Sequence, residues 1–258
     1  MNLEKTSLPD IEAQLRGLRG PSQTNYFRQV LTGRNYWMAG TERTLVFLTD
    51  DLDFFRLYFY TTDAGDLGDV LASLRLPGTT VTACIARHFD STIHATLQAC
   101  GHVRHSMFRR MATRALRVCK VNSRLEFANP ADVDELLGRL QADFHPYTSH
   151  PPSRALLAEY IRREWALVIR KNGAIAGYIV FQIAGNQANY NYLFNSSADP
   201  VDFLMLQNNF FGLLDQRGVR AGILWVDEKN TRVLKMNEVS GWKLDGLMTQ
   251  YYVKVTAK

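Results

Sequence analysis

The chain has 258 residues, a formal net charge of +5, 46% hydrophobic residues and 21% charged residues. At roughly 100–200 residues per domain this is one or two domains with ample apolar material for a core, which excludes a disordered chain. The 17 Gly, 8 Pro and 3 Cys exclude collagen-like and disulfide-scaffold classes, and no apolar run approaches the roughly 18 residues that a membrane span requires.

In chain order, the stretch from Asp10 to Gly17 reads as a polar helix. Leu45 to Leu48 and the aromatic-rich Phe54 to Tyr60 read as strands, with a turn at Asp50 and Asp51. Leu67, Val70, Leu71 and Leu74 are spaced as one helix face, and Pro77-Gly78 marks a turn. A strand from Val81 to Ile85, a helix from Thr92 to Cys100 stopped by Gly101, and a strand from His102 to Met111 complete the first half. The second half starts near Glu126, with Asn129 as helix cap and Pro130 at the first helical position. Val133, Leu136, Leu137 and Leu140 form that helix's apolar stripe, and residues 144–152 form a loop. Ser153 caps a second helix that carries Leu156, Leu157, Tyr160 and Ile161. Lys171-Asn172-Gly173 is a hairpin turn between strands Ala166 to Ile169 and Ile175 to Ile183. A strand from Asn189 to Asn195 is expected to carry Tyr190, Tyr192 and Phe194 on one face. There follow a helix from Phe203 to Leu214, a strand from Ile223 to Val226, a helix from Asn230 to Val239 ended by Ser240-Gly241, and a strand from Leu247 to Val255.

Charge and cysteine usage narrow the partners. Between Asp90 and Glu126 there is no acidic residue, while Arg104, Arg109, Arg110, Arg114, Arg117, Lys120 and Arg124 accumulate there. Such a run suits an anionic partner, or a solvated connector. No nucleic-acid-binding signature accompanies it, so nucleic acid is disfavoured. Cys84, Cys100 and Cys119 have spacings that suit neither a zinc site nor a redox pair, so no metal is expected. Glu4, Lys5 and Asp10 stand where a leader would be apolar, and the expectation is a cytoplasmic protein without a membrane anchor.

The halves match at one offset of 140 residues, which relates Asp90 to Asn230, Ile93 to Val233, Gly101 to Gly241 and His102 to Trp242. The upstream strands recur at a shorter offset, as if the first half had lost a hairpin strand. This order reads as a diverged tandem repeat, with domains 1–118 and 119–258.

The segment from Asn230 to Trp242 carries Asn, an apolar residue three later, and Gly and Trp at eleven and twelve. With the layout of 126–258, it resembles the GNAT acetyltransferase superfamily, and the first half resembles a degenerate copy. The resemblance implies an α/β class: a tandem GNAT-like fold with a mixed, mostly antiparallel sheet flanked by helices in each half. It implies acyl transfer from a thioester, acetyl-CoA or another acyl-CoA or acyl-pantetheine, to a small-molecule or peptide amine. By the same resemblance Asn230 faces the pantetheine arm, and Leu193, Phe194 and Asn195 hold the thioester by backbone hydrogen bonds. The family's glycine-rich diphosphate turn corresponds to residues 195–202, so Asn195, Ser196 and Ser197 stand as cofactor-binding candidates. That turn has no glycine here, and Asp199 and Asp202 oppose a diphosphate. A donor held on an acidic acyl carrier protein, docked by the basic run, is the variant this suggests. The family's Glu base and Tyr acid are replaced, the latter by Asn237, a possible thiolate stabiliser. Tyr190, His145 and Asp227 are the candidate acid–base groups. Two alternatives stand beside acyl transfer: a non-catalytic binding module, and decarboxylation or hydrolysis of an acyl thioester.

Overall fold

The computed structural model describes residues 1–18, 20, 22–25, 35–114, 126–195 and 200–256. The elements begin with β1 (Glu4–Thr6), α1 (Leu8–Gly17), β2 (Gln23–Thr24), β3 (Tyr36–Gly40), β4 (Thr44–Asp51), β5 (Phe54–Thr61), α2 (Ala64–Ser73), β6 (Thr80–Ala86), α3 (Ser91–Ala99) and β7 (Val103–Thr113). A single 3-10 turn (Pro130–Asp132) then leads into α4 (Val133–Asp143), α5 (Pro146–Ser149), α6 (Arg154–Arg162), β8 (Ala166–Lys171), β9 (Ala174–Ala184), β10 (Gln187–Asn195), α7 (Pro200–Gln216), β11 (Ala221–Asp227), α8 (Thr231–Val239) and β12 (Lys243–Lys254). Two compact units form: Met1–Met107 with Leu247–Lys258, and Phe108–Gly246.

In the first unit β3, β4 and β5 are an antiparallel meander, and β6 joins β5 in parallel. Alternation along β4 sends Val46 and Leu48 to a core with Leu67, Val70 and Leu71 of α2 and Ile93 and Leu97 of α3. Leu45 and Phe47 go to the other face, against Ile11 of α1. The second unit repeats this plan. β8, β9 and β10 are the meander, β11 joins β10 in parallel, α7 and α8 cover one face, and α4 and α6 cover the other. The strands of each unit are thus mixed, mostly antiparallel and flanked by helices. The expected loss of a hairpin strand from the first half is corrected by β3. Tyr36-Trp-Met-Ala-Gly40 buries Tyr36 and Ala39, two positions three apart, so it lacks the alternation that marks a strand.

The 140-residue offset is visible in the backbone. Asp90 caps α3 through Thr92 and Ile93, and Asn230 caps α8 through Val233. Both helices end alike: His102 N–H donates to Leu97 O at 2.9 Å and Trp242 N–H to Asn237 O at 3.0 Å. Gly101 and Gly241 sit at φ +83° and +88°, the left-handed conformation that this helix stop demands.

The last strands are exchanged. Residues 108–113 of β7 pair with β11 inside the second unit, and residues 248–254 of β12 pair with β6 inside the first. Compact units therefore do not follow a cut after residue 118, a position that lies outside the described residues.

Candidate functional site

The site is built around β10. Its register with β9 runs from Gln187↔Ala184 to Asn195↔Gly177, and shifts between Tyr190 and Tyr192. One extra residue there is a β-bulge, which turns the following side chains over. Tyr190 faces the α7–α8 core, stacked on Phe210 at 4.7 Å, whereas Tyr192 and Phe194 face α4 and α6. The expectation of three aromatics on one face is thereby corrected. The parallel register with β11 runs from Gln187↔Ala221 only as far as Tyr190↔Leu224. Beyond the bulge β10 continues along β9, and β11 continues along β7. The two parallel strands therefore part where Leu193, Phe194 and Asn195 stand.

Of the predicted donor contacts, Leu193, Phe194 and Asn195 thus lie on the strand end bordering this parting. Gly177 faces them, and a Cβ there would meet Leu206 Cδ1 at 3.1 Å, Asn195 Oδ1 at 3.2 Å and Phe194 O at 3.3 Å. Ser196 and Ser197, and the rest of the turn to Asp199, lie outside the described residues. Asp202, in the first turn of α7, pairs with Lys171 Nζ at 2.6 Å. A carboxylate at that helix start already meets the favourable end of the helix dipole. Lys171 was read only as a hairpin residue; this pairing joins positions 31 apart, which local spacing does not show.

Asn230 is the exposed N-cap of α8, its Oδ1 accepting Val233 N–H at 3.2 Å. Asn237 is 3% exposed, and Gln207 Nε2 of α7 donates to its Oδ1 at 3.4 Å. Asp227 closes β11 as a turn residue, with Oδ1 accepting Lys229 N–H at 2.9 Å. Tyr190 is enclosed: its hydroxyl has no hydrogen-bond partner among the described residues, and burial raises its pKa far above the usual phenol range. A phenol walled into a core has no route to a substrate proton.

The loop over residues 144–152 contains α5, begun by Pro146 and capped by exposed His145, whose Nδ1 accepts Tyr147 N–H at 3.3 Å. In the neutral ring this leaves the proton on Nε2, so His145 is set to donate rather than to accept. Tyr192 ties this loop to β10. Its hydroxyl lies 2.8 Å from Ser149 O and 2.6 Å from His150 O, to which its proton is shared. Phe144 stacks edge-on against Tyr192 at 5.2 Å, and Tyr178 donates to Asp143 at 3.0 Å. The role of Tyr192 as a loop anchor was masked by its place in an alternating aromatic strand.

Of the basic run, Arg104, Arg109, Arg110 and Arg114 lie on β7 or just after it, and Arg117, Lys120 and Arg124 lie outside the described residues. Arg110 is bound to Asp245 at 2.6 Å and lies over the Trp225 ring at 5.9 Å. Among the described residues no group of three His, Cys, Asp or Glu could hold a metal ion, and no helix is long and apolar enough to cross a membrane.

Comparison with known proteins gives a fold-level answer. No protein-family model matches the chain, and no curated protein matches it. Among solved structures it is similar to a GCN5-related N-acetyltransferase from Sphaerobacter thermophilus, with a TM-score of 0.61 and 13% identity over 97% of this chain and 86% of that one. It is similar to a GNAT-family acetyltransferase from Colwellia psychrerythraea, with a TM-score of 0.55 and 9% identity over 99% of this chain and 100% of that one. A tandem GNAT protein from the clavulanic acid biosynthesis pathway matches with a TM-score of 0.55 and 13% identity over 90% of this chain and 86% of that one. The chain has the GNAT fold, in tandem form.

Proposed function

We propose that the Phe108–Gly246 unit takes an acyl thioester where β10 and β11 part, and that the protein transfers the acyl group to an amine. The observation that carries this reading is the bulge between Tyr190 and Tyr192, with the end of the β10–β11 register at Tyr190. Parting strands present main-chain groups that an amide-containing acyl-pantetheine can bond as a strand would. Asn230, at the start of α8, supplies a side-chain amide for the same arm. Asn237, 3% exposed and bonded to Gln207, is as enclosed as Tyr190 and is set aside as donor to the departing thiolate. His145 donates through Nε2 in the loop that Tyr192 anchors.

The Lys171–Asp202 pair at the start of α7 favours a donor without a free diphosphate, so we assign the acyl group to pantetheine on an acidic carrier protein in preference to acetyl-CoA. Arg109 and Arg114 are the docking candidates on the basic run; Arg110, held by Asp245, is set aside. The acceptor is a small-molecule or peptide amine, and the compartment is the reducing cytoplasm.

A binding module is the second reading, and the enclosed Tyr190 hydroxyl and the turn role of Asp227 favour it. The test measures thiol released from S-acetyl-pantetheine and from an acetylated carrier protein, with and without amines. Amine-dependent release supports transfer. Equal release without amine means hydrolysis, and no release with retained binding means the binding module. Arg109→Glu with Arg114→Glu should lower carrier-dependent turnover at least tenfold and leave S-acetyl-pantetheine turnover unchanged; equal turnover with the carrier rejects the docking role.

A further inference from the structure

In the first unit the parallel pair also parts, without a bulge, and there the chain fills the gap itself. β5 and β6 are in parallel register only at Phe55↔Thr80 and Arg56↔Val81. Past that point β6 reaches β5 only through Thr82 Oγ1, which donates to Leu57 O at 3.0 Å, and β5 is met by residues 23–25. Gln23 and Thr24 pair with Thr61 and Tyr60 as β2. Between the two pairings Asn25, 4% exposed, presents its carboxamide edge-on to β5. Its Nδ2 donates to Leu57 O at 3.0 Å, and its Oδ1 accepts Phe59 N–H at 2.6 Å. Asn25 N–H adds a bond to Phe59 O at 3.3 Å, and Thr24 Oγ1 adds another to the same carbonyl at 2.7 Å. One side-chain amide thus makes the donor–acceptor pair that a strand residue, or any amide-bearing chain, would make.

Two further contacts extend the match. Gln23 Nε2 donates to Asp90, the α3 cap that the 140-residue offset equates with Asn230. The start of α2, the repeat's counterpart of the α7 start, is also taken: the Asp63 carboxylate accepts Gly65 N–H at 2.8 Å and Asp66 N–H at 3.2 Å. Those bonds and Arg43 hold Asp63 below its usual carboxylate range. A phosphate there would face a seated anion.

We propose that Gln23–Asn25 is a built-in occupant of the first unit's groove, standing where an acyl-pantetheine amide would bind, so that only the β10 groove takes donor. The inference rests on the acyl-thioester reading for the ligand class, but not for the occupancy. Without the occupant the first groove becomes a second site for the same amide chain.

Hydrogen exchange of the full chain, read separately over Leu57–Thr61 of β5 and Tyr192–Asn195 of β10, with S-acetyl-pantetheine as probe, tests it. In the wild type the probe should slow exchange at β10 and leave β5 unchanged. In the Gln23→Ala/Asn25→Ala variant, β5 should exchange at least tenfold faster without probe and regain protection with it. Protection of wild-type β5 by the probe overturns the proposal, as does a folded variant whose loosened β5 gains nothing from a probe that protects β10. If the double variant does not fold, Asn25→Asp keeps the acceptor for Phe59 N–H and removes the donation to Leu57 O. It should show the same gain at lower amplitude, and no gain from a probe that protects β10 overturns the proposal. Absence of any effect at β10 counts against the acyl-thioester reading alone, since β5 in the variants still reports whether the groove was filled.

Discussion

His102 and Tyr190 bury polar atoms that have no partner among the described residues. Both ring nitrogens of His102 are buried and unbonded, and burial followed by the Lys254 charge lowers its pKa from 6.5 to about 4. The folded state therefore holds His102 neutral, while the unfolded chain takes up a proton near pH 6.5. Stability should fall as the pH drops from about 6.5 towards 4, by about 3 kcal/mol in all. Denaturant unfolding of wild type and His102→Phe across that window checks this; the variant should lose this part of the slope. At the position equivalent by the 140-residue offset, Trp242 is 1% exposed and keeps Nε1 unbonded. Tyr190→Phe removes an unsatisfied hydroxyl, so it should raise stability by about 1 kcal/mol and leave turnover intact. A large loss of turnover with unchanged stability would restore Tyr190 to the catalytic candidates.

At the scale of elements, the cap of α8 is also the residue that the proposal gives to the donor. Asn230→Ala removes the bond to Val233 N–H and should destabilise by about 0.5–2 kcal/mol. Asn230→Ser keeps a capping oxygen and loses the amide. It should retain the melting temperature and weaken donor binding, and equal binding would make Asn230 a cap and nothing more. The helices were legible in the sequence because caps and stops are local: Asp90, Asn129, Ser153, Asn230 and Gly241 each act within a few residues. Most strands were legible by alternation or apolar runs. The bulge was not, since Tyr-Asn-Tyr alternates perfectly and the extra residue is defined only against β9. β2 was not, because two residues pairing with β5 from about 35 positions away leave no periodic signal. Of the candidate site, only the capping role of Asn230 was legible locally. The roles of Asp227, Tyr190 and Tyr192 depend on what each side chain meets, and alternation and spacing alone do not contain that.

For the whole molecule, the exchanged strands decide how the chain can be divided. A fragment of 119–258 lacks residues 108–113, which pair with β11, and a fragment of 1–118 lacks residues 248–254, which pair with β6. Each removes a strand from a sheet and exposes an edge. Separately expressed halves should fail to give cooperative unfolding, and mixing them should restore it; a cooperatively folding 119–258 fragment would mean that the exchange is dispensable. The repeat was legible in the sequence, but the exchange was not, because alternation identifies a strand without naming its neighbour. The central claim, a thioester site on β10, is met most directly by a thermal-shift titration with S-acetyl-pantetheine and acetyl-CoA side by side. A ligand at about 100 times its Kd adds roughly 2.7 kcal/mol, a rise of about 5–10 °C for a chain of this size. The account predicts that rise with S-acetyl-pantetheine, lost in Asn230→Ser, and acetyl-CoA giving no larger one. No rise with either ligand would contradict it.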